Sequence, residues 1–192
     1  NEQYPGWSVT PKDRLDGGVT SGIPAQYDTL RNRQTHRRVW SPEILRFAGK
    51  WEAWKRDNEL LDFTDLLERC VDEVSTAPGA PASLIVDEAQ DCSPLMMRLI
   101  RKWGEKTERL YLTGDDDQTL FSWSGADARM MLEPELPPDQ VRVLEQSYRV
   151  PAAVLAYAER IIKRVARRHP KAYRPREVDG VSVEGEIVRC PG

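Results

Sequence analysis

Residues 83–91 read Ser83-Leu84-Ile85-Val86-Asp87-Glu88-Ala89-Gln90-Asp91, and residues 110–118 read Leu110-Tyr111-Leu112-Thr113-Gly114-Asp115-Asp116-Asp117-Gln118. Each stretch is a short apolar run that stops abruptly at acids. Runs this short, rich in β-branched or aromatic residues, fit buried strands better than helices. Between them, Pro94 to Trp103 carries apolar residues at helical spacing. Strands alternating with helices predict a parallel α/β sheet, and in such sheets ligands bind beyond the carboxyl ends of the strands. Both acid clusters stand at such ends.

Outward from this centre the pattern is mixed. Upstream, Ser41 is a candidate N-cap with Pro42 in the first turn, and Ile44, Leu45, Ala48, Trp51 and Trp54 follow near helical spacing. A second helix starts near Asp62, with Phe63, Leu66, Leu67, Cys70, Val71 and Val74 expected on one buried stripe. Trp51, Trp54 and Trp103 read as core or helix-packing residues. Residues 1–40 are rich in Gly, Pro, Thr and Arg and read as loops, with a short helix near Gln26–Arg33. Its Arg31–Arg38 stretch suits either phosphate contacts or a solvated basic loop. Thr76–Ala82 is a Pro/Gly/Ala linker, and Pro-rich Glu133–Asp139 marks a boundary. Downstream, Val141–Leu144 reads as a third strand, Pro151–Arg168 as a helix with one basic face, and Glu186–Arg189 as a final strand.

Composition narrows the class. The chain has 192 residues, 40% hydrophobic and 31% charged, with mean hydropathy −0.61. That argues against both a disordered tail and a membrane protein, and no apolar run approaches the ~18 residues a spanning helix needs. No signal peptide is read at the N-terminus, which also lacks an initiator Met and so hints at a fragment or processed product. Three scattered cysteines (Cys70, Cys92, Cys190) give neither a disulfide framework nor metal-ligand spacing, and a reducing, cytoplasmic setting is expected. The net charge of −3 hides an asymmetry. Residues 61–140 carry 7 Lys+Arg against 17 Asp+Glu, net −10, between flanks of net +2 and +5. Such a block is either a solvated face or a metal–phosphate site, since Mg²⁺ takes hard oxygen ligands.

An apolar strand ending in Asp-Glu has the form of a Walker B motif, in which the Asp holds Mg²⁺ and the Glu deprotonates an attacking water. Alone the signal is weak. Its company is specific: Leu84-Ile-Val-Asp-Glu-Ala-Gln-Asp91, then Gly114-Asp-Asp-Asp-Gln-Thr-Leu-Phe-Ser-Trp-Ser-Gly-Ala126, then Leu144-Glu-Gln-Ser-Tyr-Arg-Val-Pro151, preceded by Leu61-Asp-Phe-Thr-Asp-Leu-Leu67. This order resembles motifs II, III and IV of superfamily 1A DNA helicases of the UvrD/Rep/PcrA type, over roughly residues 60–170. The resemblance implies a RecA-like P-loop NTPase fold and a role for each matching position. Asp87 matches the Mg²⁺ residue and Glu88 the catalytic base. Gln90 and Asp91 complete the signature and help couple the site to its neighbours. Gln118 matches the glutamine that senses the γ-phosphate, with Asp115, Asp116 and Asp117 the acid run before it. Trp123 matches an aromatic that stacks on a base of single-stranded DNA, with Phe121 beside it. Arg149 matches the arginine that reaches the γ-phosphate, and Tyr148 packs beside the nucleotide.

The residues depart from that pattern too. No GxxxxGK[ST] is present, so the Walker A cradle and its lysine are not supplied. The adenine-binding Gln segment and motifs V and VI are also absent. Ser124 stands where family members often carry Arg, and Ser122 where they often carry Gly. The expected fold is therefore a partial RecA-like parallel sheet with flanking helices, lacking the P-loop strand. Residues 1–57 would be the remnant of an inserted helical subdomain, 58–135 the second half of a first RecA-like domain, and 140–192 the start of a second. The expected function is part of an ATP-dependent DNA helicase translocating on single-stranded DNA in repair or replication, with ATP and Mg²⁺ as cofactors; the resemblance implies 3′ to 5′ movement. By itself the chain is expected to be inactive, to need segments carrying the P-loop and motifs V and VI, and to self-associate through unpaired sheet edges. The alternative is a non-catalytic DNA- or partner-binding module derived from such a helicase.

Overall fold

A computed structural model describes residues 22–119, 123, 125–165 and 168–188. The chain divides into two compact units between Met131 and Leu132.

Three helices open the first unit. Helix α1 spans Ile23–Asn32, α2 Pro42–Asp57 and α3 Phe63–Glu73. Ser41 caps α2 as its sequence position suggests, its hydroxyl accepting from the Ile44 amide at 3.3 Å. Asp62 and Asp65 form a reciprocal capping box at the start of α3, each carboxylate accepting from the other's backbone N–H at 2.8 and 2.9 Å. Such a cap is worth about 1 kcal/mol. Strand β1, Ser83–Val86, then leads through helix α4, Pro94–Gly104, to strand β2, Arg109–Leu112. The two strands pair in parallel, with Leu84 opposite Leu110, Ile85 opposite Tyr111 and Val86 opposite Leu112.

Three apolar clusters hold this unit. Tyr27, Trp40, Ile44, Phe47 and Ala48 pack α1 on α2, with Trp51 against them and Trp54 stacked on Trp51. Val71, Leu95 and Leu99 pack α3 on α4, joined by Trp103. Ala89, Cys92 and Met97 sit beneath the strand ends with Val86 and Leu112. The expected stripe on α3 is only partly right. Val71 is buried, but Phe63 is 88% exposed and Leu66 is exposed. The inner face instead carries Thr64, Leu67 and Val71, because the acids of α3 are drawn to buried cations.

Those cations are the least predictable feature of the core. Arg31 and Lys55 are almost wholly buried, with side chains 5% and 6% exposed. Arg31 reaches Asp62 at 3.1 Å and both Asp65 and Glu68 at 2.6 Å. Lys55 reaches Asp62 at 2.6 Å and also binds Asp65. The Trp51 indole N–H adds a bond to Asp62 at 3.3 Å. A second buried polar chain runs beside it: Asn32 donates to Thr64 Oγ1 at 3.1 Å and accepts from the Ser93 hydroxyl at 3.2 Å. Together these tie α1, α2, α3 and the start of α4. Arg31 is thus an internal strut and not a phosphate contact, and Arg37 is paired with Glu52.

In the second unit, helix α5 spans Ala152–Ile162, shorter than the expected 151–168. Its Ala152 and Ala153 amides donate to the Val183 and Glu184 carbonyls, each at 2.8 Å. Strands β3, Glu177–Val178, and β4, Val181–Ser182, make an antiparallel hairpin. The strand expected at Val141–Leu144 does not form. That segment finds no ladder partner among the described residues, Leu144 is 85% exposed, and pairing begins only with the single bridge Gln146–Arg174. No strand forms at 186–188 either, where Ile187 and Val188 are exposed, and Arg189 lies outside the described residues. Apolar alternation supplies a face for a strand, but only a neighbouring backbone supplies its bonds. Among the described residues no helix is long and apolar enough to cross a membrane.

The ion network carries two predictions. Arg31→Leu takes one buried cation from Asp62, Asp65 and Glu68 while Lys55 still holds the first two, so chemical denaturation should show a loss near the lower end of about 3–5 kcal/mol. The second concerns acid. Burial alone raises the Asp62 carboxyl, but the Lys55 hydrogen bond, the Asp65 amide and the Arg31 charge outweigh it and hold the group at about 2, below the ordinary 3.8. A carboxylate held down in this way stabilises the fold fully above its unfolded value and loses that contribution as pH falls through its folded one. The urea midpoint should therefore fall between pH 4 and pH 2, and Asp62→Asn should flatten that slope.

Candidate functional site

The parallel pairing brings the carboxyl ends of β1 and β2 to one edge, and three hydrogen bonds staple the loops that follow. Thr113 Oγ1 donates to Asp87 Oδ1 at 2.6 Å. The Ala89 amide donates to the Thr113 carbonyl at 2.8 Å. The Asp115 amide donates to Gln90 Oε1 at 3.0 Å. Ala89 and Gln90 are buried in the turn Ala89–Asp91, while Asp87 and Glu88 remain exposed at the mouth.

Asp87 also accepts from the Glu88 amide at 3.0 Å, again on Oδ1. The Thr113 hydroxyl first, and this amide second, hold the Asp87 carboxyl below its usual range. The group stays ionised and faces solvent. Glu88 occupies the left-handed region, φ 52° and ψ 40°, a conformation costing a non-glycine residue about 1–2 kcal/mol. Its carboxylate accepts from Gln90 Nε2 at 2.7 Å. Buried Oδ1 of Asp91 has no hydrogen-bond partner among the described residues.

The second loop is organised around Asp115. Its carboxylate accepts from the Asp117 amide at 3.2 Å and from Gln118 Nε2 at 2.6 Å. Gln118 is exposed at the end of the turn Asp116–Gln118. Gly114 leaves room for this arrangement, because a Cβ there would come within 2.3 Å of Gln90 Oε1 and displace that side chain.

Trp123 is 53% exposed, and its carbonyl accepts from Thr29 Oγ1 of α1 at 3.0 Å. Beyond it, Gly125 has φ +103° and comes so close to α1 that an added Cβ would lie 3.0 Å from Asn32 Cβ. A cavity of about 560 Å³ opens between α1, residues 39–44 and Trp123, with Arg33 in its wall. Phe121 lies outside the described residues. Tyr148 and Arg149 belong to the second unit, both exposed, on a turn whose Arg149 and Val150 amides donate to Ser147 Oγ at 3.3 and 3.0 Å.

The donor set suits a hard divalent cation. Among the described residues no group of three or more metal-ligating side chains converges. Mg²⁺ does not require one, since it is commonly held by one or two carboxylates together with substrate phosphates and water. Asp87, ionised and open, has the chemistry to serve as one. Two contributors escaped the sequence reading. Thr113 carries a weak signal, a hydroxyl residue at the last position before the strand-end glycine. Thr29 carries none, because it lies 94 positions before its partner.

The chain belongs to the UvrD/Rep helicase family: the model of the UvrD/REP helicase N-terminal domain matches residues 24–137. Among individual relatives it is similar to the ATP-dependent DNA helicase PcrA of Staphylococcus epidermidis, with 32% identity over 170 residues. The same-named protein of Staphylococcus aureus is 30% identical over a stretch of equal length. Each match covers 82% of this chain but only 23% of the relative, so the chain spans less than a quarter of the proteins it matches.

Thr113 gives this site a local test. Thr113→Val keeps the shape and removes the hydroxyl that chiefly holds Asp87 down. The Asp87 titration midpoint, followed by carboxyl-carbon NMR, should move up toward the ordinary carboxylate value. An unmoved midpoint contradicts the staple.

Proposed function

We propose that this chain is the central part of an ATP-dependent DNA helicase that translocates on single-stranded DNA. One observation carries the reading: Asp87–Glu88 and Asp115–Gln118 meet in one hydrogen-bonded constellation at the strand ends, and Trp123 follows Gln118 by five residues. In this reading residues 58–135 are the second half of a RecA-like domain, 140–192 begin another, and 1–57 are what remains of an inserted helical subdomain.

The roles follow from position and chemistry. Asp87 would hold Mg²⁺, which neutralises charge on the nucleotide's phosphates. Glu88, held by Gln90, takes a proton from the water that attacks the γ-phosphorus, yielding ADP and phosphate. Gln118 offers its amide to the γ-phosphate. Arg149 would offer a planar guanidinium to the γ-phosphate, and Tyr148 would pack against the nucleotide. Trp123, with Phe121 beside it, stacks on a base of the strand, and stacking tolerates any sequence. A phosphate-contacting amide and a stacking ring on one short segment make that segment a transmitter between ATP and DNA. The missing Walker A cradle has to come from a further segment.

Two measurements test this. The chain should bind single-stranded oligonucleotides irrespective of sequence, and Trp123→Ala should weaken binding about 5- to 150-fold, the equivalent of one stacked base. Equal binding would remove the ring from the DNA path. In a polypeptide that also supplies a Walker A segment, Glu88→Gln should lower kcat for ATP hydrolysis about 100-fold or more with little change in KM. An unchanged kcat would leave the non-catalytic module as the better account.

A further inference from the structure

We infer that Gln90 is a positioning residue: its side-chain amide fixes the Glu88 carboxylate and the Asp115 backbone to each other, joining the two strand-end loops into one rigid unit. This deepens the reading of Glu88 as the base and rests on it.

Gln90 is polar yet only 1% exposed. Both ends of its amide are used. Nε2 donates to Glu88 Oε2 at 2.7 Å, with a long contact to Asp91 Oδ2 at 3.5 Å, and Oε1 accepts from the Asp115 amide at 3.0 Å. A planar amide offers a donor and an acceptor at once. Leucine of similar bulk offers neither, and glutamate, when ionised, keeps the acceptor while losing the donor. Burial removes water as a substitute partner, so breaking either bond strands a buried polar group at a cost of about 1–3 kcal/mol.

The surroundings are built to that amide. Gly114 lets the second loop approach, since a Cβ there would stand 2.3 Å from Gln90 Oε1 and 3.1 Å from the Ala89 amide nitrogen. From Asp115 the path continues, its carboxylate accepting from Gln118 Nε2 at 2.6 Å. Glu88 and Gln118 are therefore linked through Gln90 and Asp115. When Gln118 turns from Asp115 toward a phosphate, Gln90 keeps the Asp115 backbone in place as a pivot. It also keeps Glu88 aimed although its left-handed backbone gives that side chain an unusual base. Loss of Gln90 should therefore slow the chemical step and leave nucleotide binding intact.

The test compares the native chain with Gln90→Leu and Gln90→Glu. Amide hydrogen exchange at Asp115, read by NMR on the 192-residue chain, should accelerate about tenfold in Gln90→Leu and stay near native in Gln90→Glu, which retains the acceptor. In the longer helicase polypeptide both variants should lower kcat about tenfold or more with KM for ATP within about twofold, because both lose the donor to Glu88. Native exchange in Gln90→Leu overturns the inference, and so does native kcat in both variants. A purely structural role would instead move kcat in Gln90→Leu and restore it in Gln90→Glu, which also overturns it. If Glu88→Gln itself leaves kcat unchanged, the reading of Glu88 fails, while the exchange arm still decides whether Gln90 holds the two loops together.

Discussion

The in-register parallel pairing of Ser83–Val86 with Arg109–Leu112 is the constraint on which the candidate site depends. Strands running the same way end at the same edge. Their following loops, each rich in acids, are then forced into contact. Like charges in such proximity would repel, and the structure answers with neutral hydrogen-bonding groups between them. The Thr113 hydroxyl, the Ala89 amide and the Gln90 side chain each bridge from one loop to the other. Asp87 is left ionised and open, and Glu88 is held beside it.

A second constraint acts from the other side of the unit. Arg31 and Lys55 are buried among Asp62, Asp65 and Glu68, tying the helix Phe63–Glu73 to the apolar pair Ile23–Asn32 and Pro42–Asp57. Buried ion pairs gain little net stability over apolar packing but strongly penalise any arrangement that separates them. The network therefore specifies how Ile23–Asn32 docks, and that helix supplies Thr29 to the Trp123 carbonyl and Asn32 to the close approach of Gly125. The exposed Trp123 ring is thus steadied through its own backbone by that helix.

Much of this was legible in the sequence, and the failures have physical causes. Helix starts at Ser41, Asp62 and Pro94 were readable because N-caps, first-turn prolines and apolar spacing are local signals. Both strands of the parallel pair were readable because apolar runs ending in acids are short and distinct. The orientation of Phe63 and Leu66 was not, since periodicity ranks apolar residues without knowing that buried cations claim the acids of the same helix. Val141–Leu144 has the composition of a strand, but its bonding partner is not encoded nearby. Of the site, Asp87, Glu88, Gln118 and Trp123 were visible as a spaced motif. Thr29 was invisible, because its role exists only through a contact across 94 positions.

The most direct test of the central claim, that the two strand-end loops form one cation–phosphate site, is paramagnetic line broadening by Mn²⁺ with ATP on the isotopically labelled chain. The account predicts that amide signals of Asp87, Glu88 and Thr113–Gln118 broaden first and together, and that Asp87→Asn abolishes the effect. Broadening that is spread over other surface carboxylates, or that persists unchanged in Asp87→Asn, would contradict it.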